Sequence, residues 1–82
     1  MSEIGAKIRL QTAFMLARDI RAYRVGDKAR FDRMVDARGK GLMRFDDAIK
    51  NVVDLCNAAA VCYPMTSKLL KMFVLQGVHN EK

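Results

Sequence analysis

Cys56 and Cys62 are the only thiols in this chain, His79 the only imidazole, and Ser2 and Ser67 the only serine hydroxyls. These, with the adjacent carboxylates Asp46 and Asp47, are the side chains that could carry chemistry. Nucleophilic catalysis needs a hydroxyl or thiol beside a base, and both serines sit where helices begin, so they are read as caps. Cys56 falls on an apolar helical seam, where burial raises a thiol's pKa and leaves it inert. Cys62 lies off that seam with no basic residue near it in sequence. Six helical residues separate the two thiols, about 9 Å and 240° of rotation, too far and too divergent for a disulfide. Asp46 and Asp47 point about 100° apart on a helix, and two acids in a first turn complement its dipole. A structural metal needs clustered soft or imidazole ligands, and His79 stands alone in a polar terminus. Gly39-Lys40-Gly41 lacks the spacer and the following Ser or Thr of a phosphate-binding P-loop. No catalytic residue, metal site or cofactor is expected, and the chain is read as a non-enzyme.

The elements that would position any site are helices. From about Glu3 to Tyr23, Ala6, Leu10, Ala13, Leu16, Ala17, Ile20 and Tyr23 share one face, and Ser2 is placed as the N-cap. Lys7, Gln11, Arg18 and Arg21 lie opposite, and Ile4, Ile8 and Met15 form a second apolar strip that hints at a partner surface. Val25-Gly26 ends the element. Asp27 then caps a short helix over Lys28 to Arg38, with Phe31, Met34 and Val35 as its stripe. After the glycine linker, Leu42, Phe45, Ile49, Val52, Cys56, Ala59 and Tyr63 recur at spacings of three and four, a heptad-like seam suited to helix pairing. Pro64 stops this helix. Thr66 or Ser67 caps a last helix to Gln76, with Leu69, Leu70, Phe73 and Val74 inward and a Schellman-type ending at Gly77-Val78. No segment alternates with strand period for more than a few residues. The expectation is therefore a single all-α domain over residues 1–82, a small bundle of about four helices with a long central one.

A core of this size supplies roughly 3–5 kcal/mol, so self-association is expected. The seam residues Leu42, Phe45, Ile49, Val52 and Tyr63, or the strip of Ile4, Ile8 and Met15, would form the homodimer interface. Met1 to Gln11 carries Glu3, Lys7 and Arg9 and lacks the apolar centre of a signal peptide. No run of 18 apolar residues exists to span a membrane. The basic face of the first helix lacks Trp and backs onto small alanines, which insert poorly at a membrane surface. Unpaired thiols suit a reducing interior, so a cytoplasmic location is expected.

Charge is unevenly placed. Fifteen Lys and Arg against nine Asp and Glu leave a net charge of +6. Residues 1–44 hold eleven bases and five acids, and residues 45–82 hold four of each, so the whole excess lies in the first half. Arg18, Arg21, Arg24, Arg30, Arg33, Arg38, Lys40 and Arg44 would form a phosphate-contacting surface, since the arginine fork matches phosphate oxygens two at a time. Binding of this kind follows the nucleic-acid backbone without reading sequence. Pairs such as Lys28–Asp32 and Arg33–Asp36 could instead neutralise part of it along the helix. Neither Gly39 nor Gly41 gives a helix–turn–helix a consistent core. The first expectation is a small regulatory protein that binds nucleic acid, DNA or RNA. The alternative is an adaptor, chaperone or inhibitor docking an acidic protein partner through a basic, Met-rich helical surface that includes Met15, Met34, Met43, Met65 and Met72.

Overall fold

Ser2 opens the first helix as its residue type dictates. Its backbone is extended (φ −73°, ψ 160°), and its Oγ accepts a hydrogen bond of 3.0 Å from the Gly5 N–H. The computed structural model describes residues 1–26 and 44–80, the last five by backbone alone. Among these residues the chain forms three helices and no strand: α1 over Glu3–Arg24, α2 over Phe45–Ala59 and α3 over Pro64–Asn80. The helix expected over Lys28 to Arg38, the Gly39-Lys40-Gly41 linker and Leu42 lie outside the described residues.

α1 ends where the Val25 N–H reaches the Arg21 carbonyl and the Gly26 N–H reaches that of Tyr23. Gly26 holds φ +105°, a conformation open to glycine and strained for other residues. Its buried face is Ala6, Leu10, Ala13, Leu16, Ala17, Asp19 and Ile20. Apart from Asp19, this is the face that the apolar spacing marks out.

α2 lies antiparallel to α1. At one end Tyr23 stacks on Phe45, with ring centroids 4.4 Å apart and planes at 23°. At the other, the Tyr63 hydroxyl donates to Glu3 Oε2 at 3.1 Å and Cys62 Sγ to the Met1 carbonyl at 3.8 Å. Val52, Cys56, Ala48 and Ala59 are wholly buried and face the alanines of α1. Phe45, Ile49 and Tyr63 pack around this core half-buried. Of the seam expected to pair two copies, Val52 is wholly buried within the chain, while Phe45, Ile49 and Tyr63 keep part of their surface.

The seam helix is shorter than its spacing predicts. A helix continuing to Tyr63 would drive the Pro64 ring into the Ala60 carbonyl and lose the bond that carbonyl should receive. α2 therefore stops at Ala59, and the Tyr63 N–H turns back to the Ala59 carbonyl at 2.9 Å. Pro64 then serves as the first residue of α3, where a missing N–H is harmless. The Ser67 N–H donates to the Tyr63 carbonyl at 3.0 Å, which makes Tyr63 the cap residue. The cap expected at Thr66 or Ser67 is not formed. α3 also continues past Gln76 and Gly77 to Asn80, because one glycine weakens a helix by only about 1 kcal/mol.

Ser67 sits inside the second turn, fully buried, and its Oγ finds no hydrogen-bond partner. Ser67→Ala should leave stability unchanged or raise it by about 1 kcal/mol, since a desolvated hydroxyl is removed without opening a hole. A loss of about 1 kcal/mol in thermal or urea unfolding, the size expected for removal of an N-cap, would contradict this placement.

Candidate docking groove

α3 is apolar on two sides. Leu70 and Val74, with Ser67 between them, face the core. Met65, Leu69, Met72 and Phe73 follow the spacing i, i+4, i+7, i+8 along another face and stay exposed, Leu69 at 57% and Phe73 at 42%. Leu69 and Phe73 were expected inward with Leu70 and Val74. Among the described elements, α1 and α2 cover the Leu70–Val74 stripe, and Leu69 and Phe73 lie outside it.

Beside this face α1 presents Phe14, itself half-exposed, with Ala17, Arg18 and Arg21. Ala17 is buried, while the rings of Phe14 and Phe73 stay partly exposed. Between them lies an open groove of about 400 Å³, lined by Phe14, Ala17, Arg18, Thr66, Leu69, Leu70 and Phe73. The Arg21 guanidinium carbon lies 5.6 Å from the centre of the Phe73 ring, within cation–π reach.

Among the described residues no acid lines the groove. From Pro64 to Asn80 the sequence holds no Asp or Glu. Arg18 is in the wall, Arg21 leans over Phe73, and Lys68 flanks the Met65–Met72 edge of α3. Lys71 is directed elsewhere, its Nζ donating to Asn57 Oδ1 at 2.7 Å. Two acids are also engaged away from the groove: Asp54 with Lys50 at 2.9 Å and Glu3 with Tyr63.

The phosphate-contacting set divides. Arg18 and Arg21 are exposed on α1 beside the groove, and Arg44 is exposed at the start of α2. Arg30, Arg33, Arg38 and Lys40 lie outside the described residues. Arg24 is turned inward. Its guanidinium carbon is 5.5 Å from the centre of the Phe45 ring, and its Nε and Nη2 are buried without a hydrogen-bond acceptor. With these two nitrogens buried, Arg24 offers solvent less of its fork than Arg18, Arg21 and Arg44 do. Helix spacing puts Arg24 on the same side as Ala6 and Ala17, the detail that summing charges overlooks.

Of the expected interface, the strip on α1 is free. Ile4, Ile8 and Met15 are all exposed. The chemistry-bearing side chains stay dispersed. Cys56 is buried, and desolvation pushes its thiol up despite the opposing pull of Lys71. Cys62 is half-buried and also unpaired. The Tyr63 phenol is raised by desolvation first and then by its hydrogen bond to Glu3. Ser67 is in the core, and the His79 side chain lies outside the described ones. Among the described residues no three His, Cys, Asp or Glu side chains cluster to hold a metal ion, and no helix is long and apolar enough to cross a membrane.

The groove residues escaped the sequence reading although one signal pointed to them. A second apolar stripe at Met65, Leu69 and Met72 runs beside the inward one, as Ile4, Ile8 and Met15 do on α1. Comparisons of the chain with protein-family models, curated proteins and solved structures find no match.

Arg24→Met should hold or raise the melting temperature, because it keeps the packing on Phe45 and removes two buried donors, each of which costs about 1–3 kcal/mol when unpaired. The same variant should leave elution from a heparin column unchanged, while Arg18→Glu advances it. Earlier elution of Arg24→Met would return Arg24 to the solvent-facing set.

Proposed function

We propose that this chain is a non-catalytic protein-docking module whose working face is the groove between α1 and α3. The observation that carries the reading is the exposure of Phe14, Leu69 and Phe73 around a 400 Å³ apolar depression, outside the core that the described residues form. Solitary exposed apolar residues are ordinary, but a contiguous patch ringed by polar groups marks a binding surface. Met65 and Met72 extend the patch with side chains that adapt to an irregular partner. The thiols of Cys56 and Cys62, both unpaired, suit action in the cytoplasm. A homodimer belongs to the same proposal and rests on exposed Ile4, Ile8 and Met15. A solution mass of one chain would overturn the dimer alone.

Nucleic-acid binding is the competing reading, favoured by the exposure of Arg18, Arg21 and Arg44. The two readings part in one experiment. Bait protein is incubated with nuclease-treated lysate, beside Leu69→Glu and Phe73→Glu variants whose helicity is checked by circular dichroism. Docking predicts one stoichiometric protein that survives nuclease and falls at least tenfold with either variant. If nuclease abolishes capture and both variants behave as wild type, the groove is not the working face and phosphate contact replaces it.

A further inference from the structure

We infer that the groove receives an acidic amphipathic α-helix, its apolar side chains spaced i, i+4, i+7 between α1 and α3 and its carboxylates facing Arg18 and Arg21. The inference rests on the docking reading and adds the chemistry of the occupant. Three observations fix that chemistry. The first is length. Met65 to Phe73 is nine residues, eight rises or about 12 Å of helix, so the exposed apolar band matches roughly two turns of a partner helix and runs beyond the cavity. Helix-in-groove recognition uses anchors at this spacing. The second is shape. The apolar surface is concave, floored by Ala17 and Leu70 between the rings of Phe14 and Phe73, which suits a ridge of side chains better than a flat membrane surface.

The third is charge. Arg18 and Arg21 lie one turn apart on the α1 wall, Lys68 flanks the far edge of the band, and no acid stands anywhere in α3. A partner helix lying in the groove thus meets cations along the α1 wall, while Lys68 stands outside the lining, beyond the Met72 edge of the band. The arrangement also disfavours a second copy seated groove to groove, since a chain of net charge +6 would oppose Arg18, Arg21 and Lys68 to their own counterparts. Flanking carboxylates speed encounter and fix register, while the apolar anchors supply most of the hold.

The probe is a display library of helical peptides with randomised surface positions, selected against the whole chain and counter-selected against Leu69→Glu. The expected result is a groove-dependent set with apolar residues at i, i+4, i+7 and Asp or Glu beside them. A consensus peptide from that set should bind Arg18→Glu/Arg21→Glu at least tenfold more weakly at low ionic strength. Replacing the peptide's carboxylates with lysines should restore binding to that double variant. Both effects should shrink in 1 M salt, where the screening length is about 3 Å. Groove-dependent peptides with no acidic bias, or with an extended pattern, overturn the inference and leave the docking reading standing. A selection yielding nothing that depends on Leu69 overturns both.

Discussion

The close approach of α1 to α2 governs everything else in the molecule. Ala6, Ala13 and Ala17 on one helix meet Ala48 and Ala59 on the other, all at or near complete burial. Small residues at a crossing let two backbones come together, and the larger Ile20, Val52 and Cys56 then fill the space around them. This pairing buries Val52, Cys56 and Ala59 of the seam completely and Phe45, Ile49 and Tyr63 in part. What remains for α3 is a narrow line of contact, met by Leu70 and Val74. A helix with two apolar faces and room to bury only one must show the other, and the groove is that remainder.

The helical class and the course of α1 are legible in the residues, because a seven-member apolar stripe and a serine cap each point to the same boundaries. Chain direction at Pro64 is harder. A proline reads as a stop, and nothing in the spacing of Leu42 to Tyr63 announces that the ring also begins the next helix at once. That one misreading moves the cap from Tyr63 to Thr66 or Ser67 and shortens α3 at its start. The groove itself is half-legible. The wheel of α3 shows Met65, Leu69 and Met72 in line, but a wheel does not choose which of two apolar faces meets the core. That choice depends on how many faces α1 and α2 can cover, which is a tertiary fact.

Charge arithmetic has a similar limit. Summing residues 1–44 gives the whole excess of +6, yet side chains spaced by three residues along α1 meet three different fates. Arg18 lines an apolar groove, Arg21 lies over an aromatic ring, and Arg24 is folded onto Phe45 with two of its nitrogens buried. Two of the three are therefore engaged with aromatic faces inside their own chain. Guanidinium groups are weakly hydrated and stack readily on rings, so an arginine-rich helix beside Phe45 and Phe73 uses part of its charge for packing. The same stacking pre-positions Arg21 at the groove, where an ordered cation loses less conformational freedom on meeting a carboxylate than a free lysine would.

The exposed groove and the small core belong to one energetic argument. Few large side chains are completely buried: Ile20, Val52 and Val74 lead, followed by Cys56 and Ser67, one of which contributes an unsatisfied hydroxyl. Arg24 adds two more desolvated donors without acceptors. Such a chain gains from any ligand that binds only its folded form, by about 2.7 kcal/mol when the ligand stands at a hundred times its dissociation constant. That increment is of the same order as the whole contribution of a core this size, roughly 3–5 kcal/mol. Covering Phe14, Leu69 and Phe73 would thus change folding as well as recognition. Apolar area left outside the core at these side chains is area that any bound ligand could cover, which would link binding to folding.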